Sequence, residues 1–236
     1  MFEFFGELQF DRLFNPQLAW ESLPTVLEGL PMTIAISFLG MGMGLLIGFF
    51  LALGRSSSKF FIRWPSRLYI SFMRGTPILV FLFILYFGLP FMGWTLSAFT
   101  AAVLGFGLNS AAYIAEVIRG SINSVSRGQW ESARALGLSF WQTLTSIIVP
   151  QATRVSLPPL TNVFLDLVKA TSLAAVISVP EMLQKAQIVV GRTADSMTMY
   201  ILVALIYWPI CVIIAFFQEY LENRFDFHST KKNRLF

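Results

Sequence analysis

Long apolar stretches alternate with short polar segments along most of this chain. Five stretches rich in Leu, Ile, Val, Phe and Ala cover residues 30–53, 68–89, 96–118, 155–179 and 197–217. Each has the roughly 20 residues that a helix needs to cross a hydrocarbon core of about 30 Å. The pattern predicts an all-α, polytopic membrane protein with five transmembrane helices and termini on opposite sides.

The apolar segment from Trp141 to Pro180 is too long for a single crossing. Its 40 residues would form one helix of roughly 60 Å. We therefore expect residues 140–152 to form an amphipathic segment at the cytoplasmic surface, with Arg154 at the boundary and residues 155–179 crossing the membrane.

Glycine and proline positions predict how the first two spans pack. Gly40, Gly44 and Gly48 recur every four residues on one helix face, where another helix can approach closely. That helix can belong to this chain or to a second subunit. Gly75 and Pro77 break the backbone where the second span must bend.

A short polar helix is predicted between the third and fourth spans. Ser126 and Gln129 have the spacing of a capping box, and Gly137 suits the left-handed residue that ends a helix, so the helix should run from Arg127 to Leu136. A second capping box, Ser139 with Gln142, starts the next helix almost at once. The short helix should therefore project from the bundle.

Composition and charge support a membrane protein and predict its orientation. The chain is 56% hydrophobic and 13% charged, whereas soluble domains average about 25% charged. Basic residues concentrate in the loop after the first span, in the loop with the short helix and in the tail, whereas the segment before the first span is acidic. This asymmetry predicts the N-terminus outside and the C-terminus inside. The net charge of +4 is thus a topology signal, and no nucleic-acid-binding surface stands out.

Two ionisable residues are predicted near mid-membrane. Asp166 and Lys169 flank the midpoint of the fourth span and lie on one helix face. Such residues usually face a protein interior or a wet cavity, because a charge in the hydrocarbon core is costly. The pair can be a structural ion pair, or it can open to a cavity where Lys169 attracts a carboxylate and Asp166 an ammonium, which suits a zwitterionic solute.

Polar residues also occur along the third span, from its middle to its inner end. Asn109 and Tyr113 are four residues apart, so they can line a path or hydrogen-bond to another helix. Glu116 and Arg119 have the spacing of a local ion pair, with a gate as the alternative. Arg74, at the end of the basic loop, is expected to anchor the second span.

The segment around the short helix resembles the EAA loop of the permease subunits of bacterial ATP-binding cassette (ABC) importers. The residues that match that pattern in register are Glu131, Ala133, Gly137, Ile147 and Pro150, whereas Ser132 and Val149 are conservative departures. The resemblance implies that the short helix inserts into a groove on an ATPase subunit. Trp130, Ala133 and Gly137 would pack closely there, with Ser132 at the contact and with Glu131 and Arg134 at its edges.

Other segments resemble permeases for polar amino acids. They are Phe72-Met73-Arg74-Gly75-Thr76-Pro77, Tyr86 to Pro90, Asn109 to Gly120 and Lys169-Ala170-Thr171-Ser172-Leu173. Relatives often carry an acid directly after the lysine, where this chain has Ala170. The predicted substrate path comprises Asn109, Tyr113, Glu116, Asp166, Lys169, Thr171 and Ser172. The second-span motif of the resemblance is Arg74, Gly75, Thr76 and Pro77.

The resemblance implies a type I ABC importer fold, as in MetI-like permeases. Residues 1–22 would be an extracytoplasmic segment, 23–225 the permease domain with a cytoplasmic coupling loop at 119–142, and 226–236 a cytoplasmic tail. The implied partners are an ABC ATPase subunit, a solute-binding protein and a second permease subunit, identical or different, in the bacterial inner membrane. The implied substrate is a polar amino acid, with cystine as a narrower choice.

The chain itself lacks the sequence features of an enzyme. No G-x-x-x-x-G-K-[ST] phosphate loop occurs, so ATP and Mg²⁺ would be used by the partner ATPase, and this chain would bind no cofactor. His228 is the only histidine, and no metal-ligand cluster or carboxylate pair appears. An exporter is disfavoured by the signatures, and the main alternative is an ion-driven carrier or channel without an ATPase partner.

Overall fold

The computed structural model describes residues 13–225, with side chains described through residue 220. The predicted segment 1–22 lies partly outside the described residues, and the tail 226–236 lies wholly outside them. All regular structure within residues 13–225 is helical. The α-helices are α1 (Pro16–Leu27), α2 (Leu30–Ser56), α3 (Phe60–Gly75), α4 (Ile78–Phe83), α5 (Ala98–Ser124), α6 (Arg127–Ala135), α7 (Phe140–Thr143), α8 (Val149–Ala170), α9 (Met182–Thr193) and α10 (Ser196–Phe225).

The helices make five traverses of one bundle. Four runs are long and apolar enough to cross a membrane, namely Leu30–Ser56, Ala98–Ser124, Phe140–Ile177 and Ser196–Tyr220, and the bent pair Phe60–Gly75 with Ile78–Met92 provides the fifth. This agrees with the five predicted spans. We call the end of the bundle that carries α6 the α6 end and the opposite end the far end.

The glycine face of α2 packs against α5 of the same chain. Gly44 lies against Ser110 and Ile114, and a Cβ atom on Gly48 would lie 2.9 Å from the carbonyl oxygen of Ala111. Only glycine allows the two backbones to approach this closely. The question that the sequence left open is therefore answered, because this contact is made within the chain.

The predicted bend in the second span is present and sharp. The axes of the two halves differ by 103°. Thr76 is extended, with φ −106° and ψ 132°, as expected for a residue before proline. Beyond α4 the helix continues through a wide π turn at Ile84–Gly88 and a 3₁₀ turn at Leu89–Met92.

The helix does not break at the predicted boundary, Arg154, because one helical run of 38 residues extends from Phe140 to Ile177. It comprises α7, a π turn at Leu144–Ile148, α8 and a 3₁₀ turn. Pro150 lies in the first turn of α8, directly after the wide turn, where a helix tolerates proline. At roughly 57 Å the run exceeds a hydrocarbon core, so part of it must extend beyond the membrane.

Two helices at the far end were not predicted. Helices α1 and α9 pack together on α10 through buried Val26, Met182 and Met199. An ion pair of 2.8 Å between Lys185 Nζ and Glu28 Oε2 also connects them. Both helices are too short and too amphipathic for a span, so a search for apolar stretches does not find them.

Candidate functional site

The bend between α3 and α4 frees backbone groups inside the bundle. The side-chain Nδ2 of Asn109, near the middle of α5, donates a 2.9 Å hydrogen bond to the carbonyl oxygen of Met73. Non-helical backbone is tolerated at membrane depth only where it is buried in protein or lines a wet cavity. The break therefore marks a depth at which polar groups are needed.

A cavity of about 240 Å³ opens beside this break. Its wall includes Ile78 at the start of α4, Asn109 and Tyr113 from α5, and Asp166 and Ala170 from α8. Three predicted path residues, Asn109, Tyr113 and Asp166, thus meet at one cavity. Asn109 therefore both lines the cavity and hydrogen-bonds to another helix, which are the two roles predicted as alternatives.

The predicted ion pair on the fourth span is formed. Lys169 Nζ lies 2.9 Å from Asp166 Oδ1, and the two side chains are 59% and 77% exposed, respectively. The two interpretations of the pair are compatible, since the charges neutralise each other while Asp166 also lines the cavity. Two exposed charges at this depth cannot face lipid at low cost.

The other predicted path residues do not line this cavity. Glu116 forms the predicted pair with Arg119 at 2.9 Å, and it forms another at 2.9 Å with Arg55 at the end of α2. The buried hydroxyl of Thr171 donates to the carbonyl oxygen of Val168 at 2.7 Å. The hydroxyl of Ser172 donates to the carbonyl oxygen of Lys169 at 2.8 Å. The last two therefore stabilise the end of α8.

The second-span motif forms the bend and makes one contact with α5. Thr76 and Pro77 form the break itself. The guanidinium carbon of Arg74 lies 5.5 Å from the centre of the Tyr113 ring, which is a cation–π contact. Arg74 therefore faces another helix of the bundle and does not merely anchor the second span.

Helix α6 begins at Arg127 and ends before Gly137, as predicted, but the capping of its first turn differs. Gly137 is left-handed, with φ +76°. The N–H groups of Gly137 and Leu138 donate to the carbonyl oxygens of Arg134 and Ala133, which is a Schellman ending. The Ser139–Gln142 capping box is present.

The capping box at Ser126 is wrong. The Ser126 side chain makes no capping hydrogen bond. The side-chain oxygen of Gln129 instead accepts a 3.3 Å hydrogen bond from Gln151 Nε2, on α8. This contact ties α6 to the long helical run, and it uses the side chain that the box would need.

The face of α6 expected to meet an ATPase lies partly against its own chain. Ala133 is only 1% exposed, and the Trp130 ring stacks on Phe140 with a centroid distance of 6.0 Å. The expectation that these two residues face outward is not met, because they anchor the helix. The exposed residues in the second half of α6 and its ending are Glu131, Ser132, Arg134, Ala135, Leu136 and Gly137.

A buried polar cluster at the far end was not predicted from the sequence. Glu181 is fully buried and caps α9, accepting a 2.7 Å hydrogen bond from the Gln184 N–H and one of 2.9 Å from the Tyr207 hydroxyl. Thr171 Oγ1 lies 3.3 Å from the Tyr207 hydroxyl. Burial raises the pKa of Glu181, and these donors, with the Leu183 N–H, oppose the shift. The signal available in the sequence was an N-cap acid before a Gln at the third helix position.

A helical bundle with a broken span, an exposed ion pair beside a cavity and a short helix at one end is compatible with a membrane transport subunit. Residues 44–227 match the family described as the binding-protein-dependent transport system inner membrane component. The chain belongs to this family, and it is the multi-pass permease subunit of an ABC importer, whose ATPase is a separate protein.

Curated relatives cover nearly the whole chain. It is 59% identical over 220 residues to the probable amino-acid ABC transporter permease YckA of Bacillus subtilis, covering 93% of this chain and 97% of the relative. It is 42% identical to the L-cystine permease TcyB of the same species, covering 88% and 89%. It is 37% identical to the glutamine permease GlnP of Escherichia coli, covering 89% and 97%.

Solved structures confirm the predicted type I fold. An amino acid ABC transporter crystallised with histidines matches with a TM-score of 0.82 and 36% identity, covering 86% of this chain and 95% of its own. An inward-facing MetNI methionine transporter matches with a TM-score of 0.67 and 18% identity, covering 90% and 99%. The second match shows the fold alone. Family membership favours the importer subunit over an ion-driven carrier or channel.

Proposed function

We propose that this chain forms one half of the path of an importer for a polar amino acid, with its N-terminus outside the cytoplasm. The observation that carries the proposal is the exposed Asp166–Lys169 pair beside the cavity at the broken span. The names of YckA, TcyB and GlnP support the class of solute.

A second permease subunit would cover the exposed pair. The side chains of Asp166 and Lys169 are more than half exposed on this chain alone. Because a charge facing hydrocarbon is costly, this face of α8 needs protein or water against it. Two subunits that meet along this face would enclose a wet path between them, and the path would then be incomplete in one chain.

The charges suit a zwitterion. Lys169 offers an ammonium to the α-carboxylate, and Asp166 offers a carboxylate to the α-ammonium. The Asn109 amide and the Tyr113 hydroxyl add neutral polar groups on the opposite wall. Such a site recognises the groups that all amino acids share, so selection among side chains would rest largely on the binding protein.

Helix α6 is proposed to carry the coupling to ATP hydrolysis. Its outward residues, Glu131, Ser132, Arg134 and Gly137, would contact the ATPase subunit, which would hold ATP and Mg²⁺. Trp130 would transmit movement of α6 to α7, because its ring stacks on Phe140 at the start of the long helical run, and the buried Ala133 holds α6 against its own chain. A shift of the docked helix would then change the population of inward-open and outward-open states.

The charge pair can be tested by uptake into proteoliposomes that contain the permease, its ATPase and its binding protein. Labelled L-cystine and L-glutamine are the probes. Asp166→Asn and Lys169→Met should each reduce uptake at least about tenfold, as expected for loss of one charge-assisted contact. The exchanged double variant, Asp166→Lys with Lys169→Asp, keeps an ion pair but reverses its order along the path. Restored uptake in that variant would show that the pair is only structural.

Docking of α6 can be tested by co-purification. Gly137→Asp should lose the ATPase subunit. Gly93→Asp is a matched control, since Gly93 is also left-handed, with φ +83°, but lies at the far end. Retention of the ATPase by the Gly137→Asp variant, or equal loss in both, would contradict docking through this surface. Differently tagged copies of this chain that co-purify would identify a homodimer.

The orientation can be tested with a membrane-impermeant thiol reagent after Cys211→Ser. A cysteine at exposed Trp20, on α1, should be labelled in spheroplasts with intact membranes. A cysteine at exposed Leu136, at the end of α6, should be labelled only after permeabilisation. The reverse pattern would place the N-terminus inside.

A further inference from the structure

A second and larger cavity lies between the broken span and the α6 end. Its volume is about 620 Å³, and its wall includes Arg55 from α2, Arg67 and Arg74 from α3, and Tyr113 from α5. Tyr113 also lines the smaller cavity that contains Asp166. The two cavities therefore adjoin at Tyr113, and the second lies on the α6 side of the first.

The charges of this cavity are not balanced. Glu116 neutralises Arg55, with which it forms a 2.9 Å ion pair, and it is also engaged by Arg119. Arg74 contacts the neutral ring of Tyr113 and forms no ion pair within the described residues, although its charge also acts on Glu116, which three arginines thus share. Arg67 forms no ion pair within the described residues. Two guanidinium groups therefore face the cavity without an acid of their own.

These two arginines lie on one face of α3 and on the wall of one cavity. Arg67 and Arg74 are seven residues apart on α3, which puts them on one face and about 10 Å apart along the helix axis. Guanidinium groups bind carboxylate and phosphate through paired hydrogen bonds, and they stay charged at any accessible pH. A cavity of this size is also within the usual range for a small-molecule site.

We propose that Arg67 and Arg74 form an anion site that receives the α-carboxylate of the solute after it leaves the Asp166–Lys169 pair. The inference rests on the proposed function, because it needs a carboxylate-bearing solute on this path. Lys169 remains tied to Asp166, so a carboxylate that moves away from mid-depth loses its cation. The arginines replace that cation on the side toward the α6 end. A lipid phosphate is the other source of the same chemistry.

Uptake by the reconstituted complex tests the site, with labelled L-cystine and L-glutamine as probes. Arg67→Gln with Arg74→Gln should reduce uptake about tenfold or more, the effect of losing charge-assisted hydrogen bonds. The conservative pair Arg67→Lys with Arg74→Lys should recover part of it. Arg63→Gln is the matched control, because Arg63 lies on the same helix but not on the cavity wall, and it should behave as wild type. Full uptake in the glutamine double variant would overturn the anion site.

Two further arms separate the remaining explanations. Liposomes of phosphatidylcholine alone are compared with a mixture containing phosphatidylglycerol. A defect that is equal in both supports a solute carboxylate, whereas a defect seen only with phosphatidylglycerol assigns the site to lipid and overturns the proposal. If the wild-type complex imports neither probe, the proposed function fails, independently of the arginines.

A measurement on the wild-type complex removes any dependence on folding of the variants. Phenylglyoxal modifies accessible arginines, and mass spectrometry locates the modified residues. A saturating concentration of the imported amino acid should protect Arg67 and Arg74 but not Arg63. Equal modification of all three residues with and without the amino acid would overturn the proposal.

Discussion

The Asp166–Lys169 pair and the Glu181 cluster hold ionisable side chains in opposite ways. The pair is 77% and 59% exposed on the surface of a span, whereas Glu181 is fully buried and its carboxylate accepts hydrogen bonds from a hydroxyl and from backbone N–H groups. A buried group needs all its partners inside the chain, whereas an exposed one at mid-depth needs partners from outside it. The exposed Asp166–Lys169 pair is therefore expected to act in the assembled transporter, whereas the buried Glu181 cluster is expected to stabilise the fold.

The largest expected loss of stability tests the buried side of this comparison. Glu181→Ala removes the cap of α9 and leaves the Tyr207 hydroxyl without its acceptor, so the free energy of unfolding should fall by about 3 kcal/mol. Thermal unfolding in mild detergent measures it. Glu28→Ala, which removes an exposed acid from the same end of the bundle, should change stability by less than about 1 kcal/mol. Equal effects would break the distinction.

The apolar contact between α2 and α5 tests whether packing alone affects stability as strongly as the buried Glu181 cluster does. Gly48→Val would place methyl groups against the backbone of Ala111 and the side chain of Ile114, and we expect a loss of about 2 kcal/mol from overpacking. Gly42→Val is the control, because nothing lies within 4 Å of a Cβ atom there. The same unfolding assay applies, and an unaffected Gly48→Val variant would contradict the close contact of α2 with α5.

For the exposed Asp166–Lys169 pair we expect a substitution to change stability little and uptake strongly. Asp166→Asn should alter the free energy of unfolding by less than about 1 kcal/mol, as is usual for solvated ion pairs, while uptake falls. If this variant unfolds as readily as Glu181→Ala does, the pair is structural, and the comparison between the two groups fails.

The smallest expected effect is a pH dependence from Glu181. Burial raises the pKa of Glu181 above its ordinary value of 4.5, so the folded chain holds that proton more tightly than the unfolded chain. From the ordinary pKa up to the raised one, the free energy of unfolding should therefore decrease as pH increases. Glu181→Gln should remove this slope, and Glu28→Gln should keep it. Unfolding curves measured across this pH range test the prediction. If the free energy of unfolding of the Glu181→Gln variant changes with pH as it does in wild type, the raised pKa of Glu181 is contradicted.

Local sequence signals predicted the helices that depend on local properties. The predicted first span, 30–53, matches α2, and Gly137 ends α6 through a left-handed residue. Transfer of apolar residues into lipid is nearly additive along the chain, and a Schellman ending needs only neighbouring residues. Helices α1 and α9 were not found, because each is stabilised by the other and by α10.

The sequence predicted individual residues of the candidate site but not which of them meet in space. Asn109, Tyr113 and Asp166 meet at one cavity, whereas Thr171 belongs to the buried cluster with Glu181 and Tyr207. Helical spacing tells which residues share a face, but the direction of that face depends on how the helices pack. The packing of α3 on α5 places Arg67 and Arg74 at the same cavity as Tyr113, and neither this packing nor the bend of 103° after α3 follows from the sequence.

The sequence by itself determined that this is a five-span helical membrane protein with a short helix between its third and fourth spans and an ion pair on the fourth span. These properties follow from residue hydrophobicity, capping chemistry and helical periodicity, which act over a few residues. Only the tertiary structure decided that α2 packs on α5 within the chain, that Glu181 is buried, and that Arg55, Arg67 and Arg74 surround one cavity. Those contacts join residues far apart in the chain, and they depend on packing and on the angle of one bend, which no local pattern encodes.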